Sequence, residues 1–226
     1  MPGHAAGLSR DIWPGGNSKI DSIVQGSALT AMLTCAMRID FPPPAVHVWP
    51  LPYEQRLPER AAGDIDLVVI HCTELPDLAT AREYGERELY AAGTGNCGHH
   101  YIDRDGSVHL FVRPTRIAHH TRGYNPRSIG IELINRGRFP DWHDSRRQEM
   151  LEPYTGAQID SLLGLLSALR RELPNLAFVA GHEDLDTAMV AASDDPALQV
   201  FRKRDPGPLF PWAAVLEASE LQRLRG

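Results

Sequence analysis

The chain has 226 residues, 23 Lys+Arg against 29 Asp+Glu, a formal net charge of −6 and 42% hydrophobic content. That is an ordinary globular composition, long enough to bury a core without disulfide or metal support. The acidic balance offers no electrostatic footprint for nucleic acid, and 3 cysteines are too few for a disulfide scaffold.

Residues 23–37 form an uncharged run between Asp21 and Arg38. The run is too short for a bilayer span, which takes about 20 apolar residues. The charges before it are mixed, unlike a secretory leader. The expectation is a cytoplasmic protein without a transmembrane segment, or a periplasmic one if this run acts as a signal. Pro42-Pro43-Pro44, then Pro50, Pro52 and Pro58, read as an extended, semi-rigid lead-in. This composition predicts an N-terminal extension over 1–60 ahead of one domain over 61–226.

The domain opens on a continuous apolar run at 66–71, the pattern of a strand buried on both faces. Asp77, or Thr80 with Glu83, caps a predicted helix over 78–92. Residues 100–103 and 108–112 flank Asp103-Arg104-Asp105-Gly106, a hairpin signal. A further strand is predicted at 116–120. Ile129, Ile131 and Leu133 alternate with Gly130 and Glu132, which puts one carboxylate on the face opposite the aliphatics. Thr155-Gly156-Ala157-Gln158 is a capping box ahead of Ile159, Leu162, Leu163, Leu166 and Leu169, an amphipathic helix stopped by Pro174. A strand at 176–180 and a last helix starting near Pro211 complete the pattern. Together these elements predict an α/β fold, a mixed central sheet with helices packed on it.

Gly93-Thr94-Gly95-Asn96-Cys97-Gly98 follows a helix and precedes a strand, the reverse of a dinucleotide-binding loop. His182-Glu183 would open a zincin motif, but position 186 is Asp, so the second histidine is missing. Cys72 neighbours His71 on a strand, where adjacent side chains point to opposite faces, so His71 is badly placed as its base. His71 and His182 each end a buried strand, where open α/β sheets place their sites. Lys203-Arg204-Asp205-Pro206-Gly207-Pro208 is a stiff turn that fixes one aspartate. Two histidines and an aspartate form a tridentate set that leaves one tetrahedral position for water, the arrangement of catalytic zinc.

Val69-Ile70-His71-Cys72-Thr73, His100-Tyr101-Ile102-Asp103-Arg104-Asp105-Gly106, Ala118-His119-His120, Ser128-Ile129-Gly130-Ile131-Glu132-Leu133, Ala180-Gly181-His182-Glu183 and the Lys203 turn occur in this order. Together they resemble the N-acetylmuramoyl-L-alanine amidase family of the AmpD and phage-lysozyme type, related to peptidoglycan recognition proteins. The resemblance implies Zn2+ held by His71, His182 and Asp205, with Glu132 and Lys203 as catalytic residues. It implies cleavage of the amide between the N-acetylmuramic acid lactyl group and L-alanine, in muropeptides or peptidoglycan, during cell-wall turnover or recycling. A non-catalytic peptidoglycan-binding module is the alternative. His99 is expected to touch the substrate or to bind nothing, and His120 to lie at the substrate, to support a metal ligand from behind, or to be a plain buried histidine. The basic excursion with Arg136, Arg138, Arg146 and Arg147 is expected to be solvated or to face stem-peptide carboxylates. The long interval from His182 to Asp205 is expected to wall the cleft or reach a partner.

Overall fold

The 66–71 run forms the centre of a mixed sheet. In the computed structural model, which describes residues 41–226, β2 (Leu67–Cys72) is buried along its whole length. It pairs in parallel with β5 (Ser128–Leu133) on one side and β6 (Phe178–Gly181) on the other. Beyond β5 come β3 (His100–Ile102), β4 (Val108–Leu110) and the edge strand β1 (Val46–Val48); beyond β6 comes β9 (Gln222–Arg223). The order among the described residues is β1-β4-β3-β5-β2-β6-β9. The β3–β4 hairpin is its antiparallel pair.

Two-residue periodicity sorts this sheet into a packing face and a chemical face. Val68, Ile70, Ile129, Ile131 and Leu133 join Leu162, Leu166 and Leu169 of α2 (Gly156–Glu172) and Val215 of α4 (Trp212–Ser219) in one core. The predicted capping box is present: Gln158 N–H donates to Thr155 Oγ1 and Thr155 N–H to Gln158 Oε1, both at 3.1 Å. The intervening strand residues point the other way, so His71 and Glu132 stand side by side as register partners, with Tyr101 opposite Glu132 on β3.

Three sequence expectations differ from the structure. Residues 46–57 are not an extension: β1 pairs with β4, and Leu51, Tyr53 and Leu57 are buried in a second core with Phe111 and Tyr101. The described residues belong to one compact unit, and the 23–37 run lies outside them. The helix α1 (Leu78–Glu86) starts at Asp77, whose carboxylate accepts from Thr80 N–H at 2.7 Å. It ends earlier than predicted because Leu89 and Tyr90 N–H both turn to the Thr94 carbonyl. Residues 116–120 form no strand, because Arg116 and His119 each make only a single bridge, to Glu59 and Asn96. Between α3 (His182–Leu185) and Asp205 the chain folds into a hairpin of β7 (Met189–Ala191) and β8 (Gln199–Phe201). Among the described residues, no helix is long and apolar enough to cross a membrane.

Candidate active site

Three backbone segments bring the ligand-type side chains together. His71 is carried by β2 and His182 is the first residue of α3, directly after β6. Asp205 sits in the turn before α4, and its carbonyl accepts from Glu183 N–H at 2.9 Å, which ties that turn to α3. The start of α3 is held by Gly181 N–H donating to Asp184 Oδ2 at 2.8 Å, and Arg223 grips the same carboxylate.

The three side chains converge in a buried cluster. Nδ1 of His71 is 2.8 Å from Asp205 Oδ2, and Nδ1 of His182 is 3.2 Å from the same oxygen. All three offer ligand atoms within 4.8 Å of one another. Burial drives the His71 pKa down to about 4, so the imidazole is neutral. Burial alone would push the Asp205 carboxyl up, but the neighbouring His182 and the hydrogen bonds from both histidines hold it well below the usual carboxylate range. Asp205 Oδ1 is buried with no hydrogen-bond partner. Two imidazoles, one carboxylate and an orphaned buried oxygen are a donor set that suits a divalent cation.

Glu132 stands one strand over from His71. Gly98 makes room for it: a Cβ there would lie 2.6 Å from Glu132 Cγ. Burial, with the negative charge of Asp205 adding to it, raises the Glu132 pKa to about 8, against the pull of Lys203. Lys203 lies half-buried on the same cavity, and its charge is felt by His71, Glu132 and Asp205. The cavity, about 710 Å³, is lined by these five residues and by Tyr90, Asn96, Arg122 and Trp142 among others.

The two further histidines take different places. His99 is fully buried and does not line the cavity. Its Nδ1 accepts from Gly130 N–H at 2.9 Å, and Nε2 is 3.0 Å from the Arg116 carbonyl, with the Arg60 guanidinium alongside. With both ring nitrogens engaged internally, His99 fixes the β3–β5 junction rather than touching substrate. His120 does reach the cavity wall, but its Nδ1 is 3.0 Å from His71 Nε2. Gly130 opens that space, since a Cβ there would lie 2.7 Å from the His120 ring. Thr121 Oγ1 is 3.3 Å from the same His71 nitrogen. His120 and Thr121 thus brace the outer edge of His71.

The basic excursion is largely neutralised instead of presented to a ligand. Arg138 is buried and forms a two-pronged pair with Glu74, at 2.7 and 2.8 Å, while also donating to the Phe201 carbonyl. Arg146 pairs with Asp144 and Asp194, and Arg147 with Asp141. Asp194, in the β7–β8 turn, accepts from Ser145 N–H and Oγ–H, so the hairpin is docked on this excursion. Removing one partner of a buried pair leaves an uncompensated charge. Glu74→Ala is therefore expected to lower stability by about 3–5 kcal/mol, measured by urea unfolding. Arg122, exposed on the cavity wall, was not legible in the sequence because nothing in its loop marks it as facing a cleft.

Residues 61–208 match the family model of the N-acetylmuramoyl-L-alanine amidases (Amidase_2), well over half of the chain. The chain belongs to this family. Over 93 residues it is 38% identical to the N-acetylmuramoyl-L-alanine amidase AmiD of Escherichia coli K12. That alignment covers 41% of this chain and 28% of the relative, so the chain spans less than a third of that protein's length. Among solved structures, the endolysin amidase LysCS from Clostridium intestinale is similar at a TM-score of 0.58 and 18% identity, covering 80% of this chain and 99% of that one. The complex of E. coli AmiD with anhydro-N-acetylmuramic acid-L-Ala-D-gamma-Glu-L-Lys is similar at a TM-score of 0.53 and 23% identity, covering 73% and 61%. The amidase fold is thus shared, as the order of strands and histidines in the sequence predicts.

Proposed function

We propose that this amidase-family chain is a zinc-dependent N-acetylmuramoyl-L-alanine amidase, which hydrolyses the amide joining the lactyl group of N-acetylmuramic acid to L-alanine. The observation that carries this reading is the convergence of His71, His182 and Asp205 with Glu132 on the adjacent strand. The family match and the muropeptide bound by the similar AmiD structure support the substrate class.

His71, His182 and Asp205 would hold the ion. Bound zinc supplies a Lewis acid for the amide carbonyl and lowers the pKa of water toward about 7. Glu132 accepts the proton of the attacking water on its carboxylate and delivers it to the departing alanine nitrogen, so one residue serves as base and then as acid. The Lys203 ammonium offsets negative charge growing on the carbonyl oxygen. The cavity is large enough for a sugar and the first stem residues, within the common range of ligand sites of about 300–1,000 Å³. Glu132 beside the ligands favours an enzyme over a pure binding module, because binding alone has no use for a base aimed at the reacting centre.

The test is peptide release from anhydromuramyl-tripeptide by purified protein. Activity is expected, with loss on chelation and recovery on adding zinc. Tight muropeptide binding without turnover in zinc-loaded protein would establish the binding module instead.

A further inference from the structure

Asp186, at the position where a zincin would place a histidine, lies against the metal-type cluster after all. It follows His182 by one helical turn and caps the C-terminus of α3. Its side chain is 8% exposed, and Oδ2 stands 3.9 Å from His182 Nε2. That nitrogen is the outer one, because Nδ1 faces Asp205. The separation is that of an ion pair, longer than a hydrogen bond. The same Asp186 oxygen also meets the guanidinium of Arg202. Arg202 directly follows β8 and lines the cavity. Asp186 Oδ1 is placed by Ala188 N–H, donated at 3.3 Å.

The chemistry of a neutral imidazole gives this arrangement a purpose. A histidine that offers Nδ1 to a cation carries its remaining proton on Nε2, and in a buried site that proton calls for an acceptor. His71 has Thr121 and His120 at its outer nitrogen. For His182 the group in that place is a carboxylate, which orients the ring more strongly than a neutral acceptor and makes the imidazole a better donor. Arg202 pairs with the same carboxylate, so the β7–β8 hairpin is linked to the ligand through one charged pair.

We propose that Asp186 is a positioning residue for His182: its carboxylate pairs with the Nε2–H edge of the ring and so fixes the tautomer and the aim of Nδ1. This role rests on the reading of His71, His182 and Asp205 as a zinc site.

Zinc dissociation constants of the full chain, measured by competition with a chromophoric chelator, test it. Asp186→Ala is expected to bind zinc about 10–100-fold more weakly, on top of a fall in the zinc-free melting temperature from leaving Arg202 without its carboxylate. Asp186→Asn, which keeps the volume and one acceptor oxygen, is expected to lose less. The visible bands of the cobalt-loaded protein are expected to shift in the alanine variant and return toward the wild type in the asparagine variant. A purely structural residue would lower the zinc-free melting temperature but leave those bands and the zinc affinity alone. Zinc affinity within about twofold of wild type in both variants overturns the role. Should the alanine variant not fold, asparagine decides: a loss beyond about threefold supports it and a smaller one overturns it. Wild type that binds no zinc at all removes the zinc site together with this role, whereas tight wild-type binding with unaffected variants removes only Asp186.

Discussion

Glu132→Gln is expected to lower kcat on anhydromuramyl-peptide by about 10²–10⁴-fold while leaving zinc affinity close to wild type. The substitution keeps the shape that Gly98 accommodates and removes the ability to take a proton. Glu132 is held apart from the cluster of ligand atoms, so its loss subtracts the base and not the cation site. The pH dependence has a defined sign. Without a metal, burial raises the pKa of Glu132 to about 8, so it is protonated at neutral pH. A dication beside it, acting in the same direction as Lys203, favours the carboxylate and brings that value down. Activity of the zinc-loaded enzyme therefore falls as pH drops through the lowered pKa, and the glutamine variant lacks this acid limb. The zinc-free protein shows the converse in stability. Its folded state holds the Glu132 proton more tightly than the unfolded chain does, so the contribution is full below the ordinary value near 4.5 and is lost as pH rises toward about 8. Unfolding of the two proteins across that window should diverge, with the variant free of the decline. A kcat within about threefold of wild type would remove Glu132 from the reaction.

The legible part of this fold is the part whose burial is periodic. β2 and β5 are continuous or alternating apolar runs, and α2 announces itself by a capping box and a leucine stripe, so local pattern and tertiary environment agree. The Pro-rich stretch misled because proline forbids a central strand but not an edge, and β1 is an edge strand. The β7–β8 hairpin escaped because its strands are three residues each, with no glycine turn between them. At the site, His71 and His182 are visible as the polar ends of buried strands, and Asp205 as an aspartate held in the Pro206-Gly207-Pro208 turn. His99 was misplaced because its internal partners, the Arg116 carbonyl and Gly130 N–H, are backbone groups that no residue pattern records. Asp186 gives no signal of its own in the sequence, since a ligand motif marks which residue binds the ion and not which residue holds the ligand.

Asp205→Ala is expected to weaken zinc binding by more than about 10³-fold, beyond the 10–100-fold typical of an outer partner, and to abolish amidase activity. Asp205 Oδ2 is the atom on which both imidazole Nδ1 atoms converge, and Oδ1 is the buried oxygen left without a partner. Its removal leaves two imidazole donors and no anionic ligand, one short of the three protein ligands a catalytic zinc site uses. A melting experiment separates loss of the ligand from loss of the fold. Zinc at 100 times its dissociation constant should stabilise the wild type by about 2.7 kcal/mol. At roughly 2–4 °C per kcal/mol for a chain of this size, that is a rise of about 5–11 °C. The alanine variant should melt without any zinc-dependent rise. Asp205→Cys supplies a thiolate in the same place, and thiolates bind zinc well, so it should recover most of the affinity and the thermal shift. A zinc-dependent rise in Asp205→Ala equal to that of wild type would place the ion somewhere other than between His71 and His182.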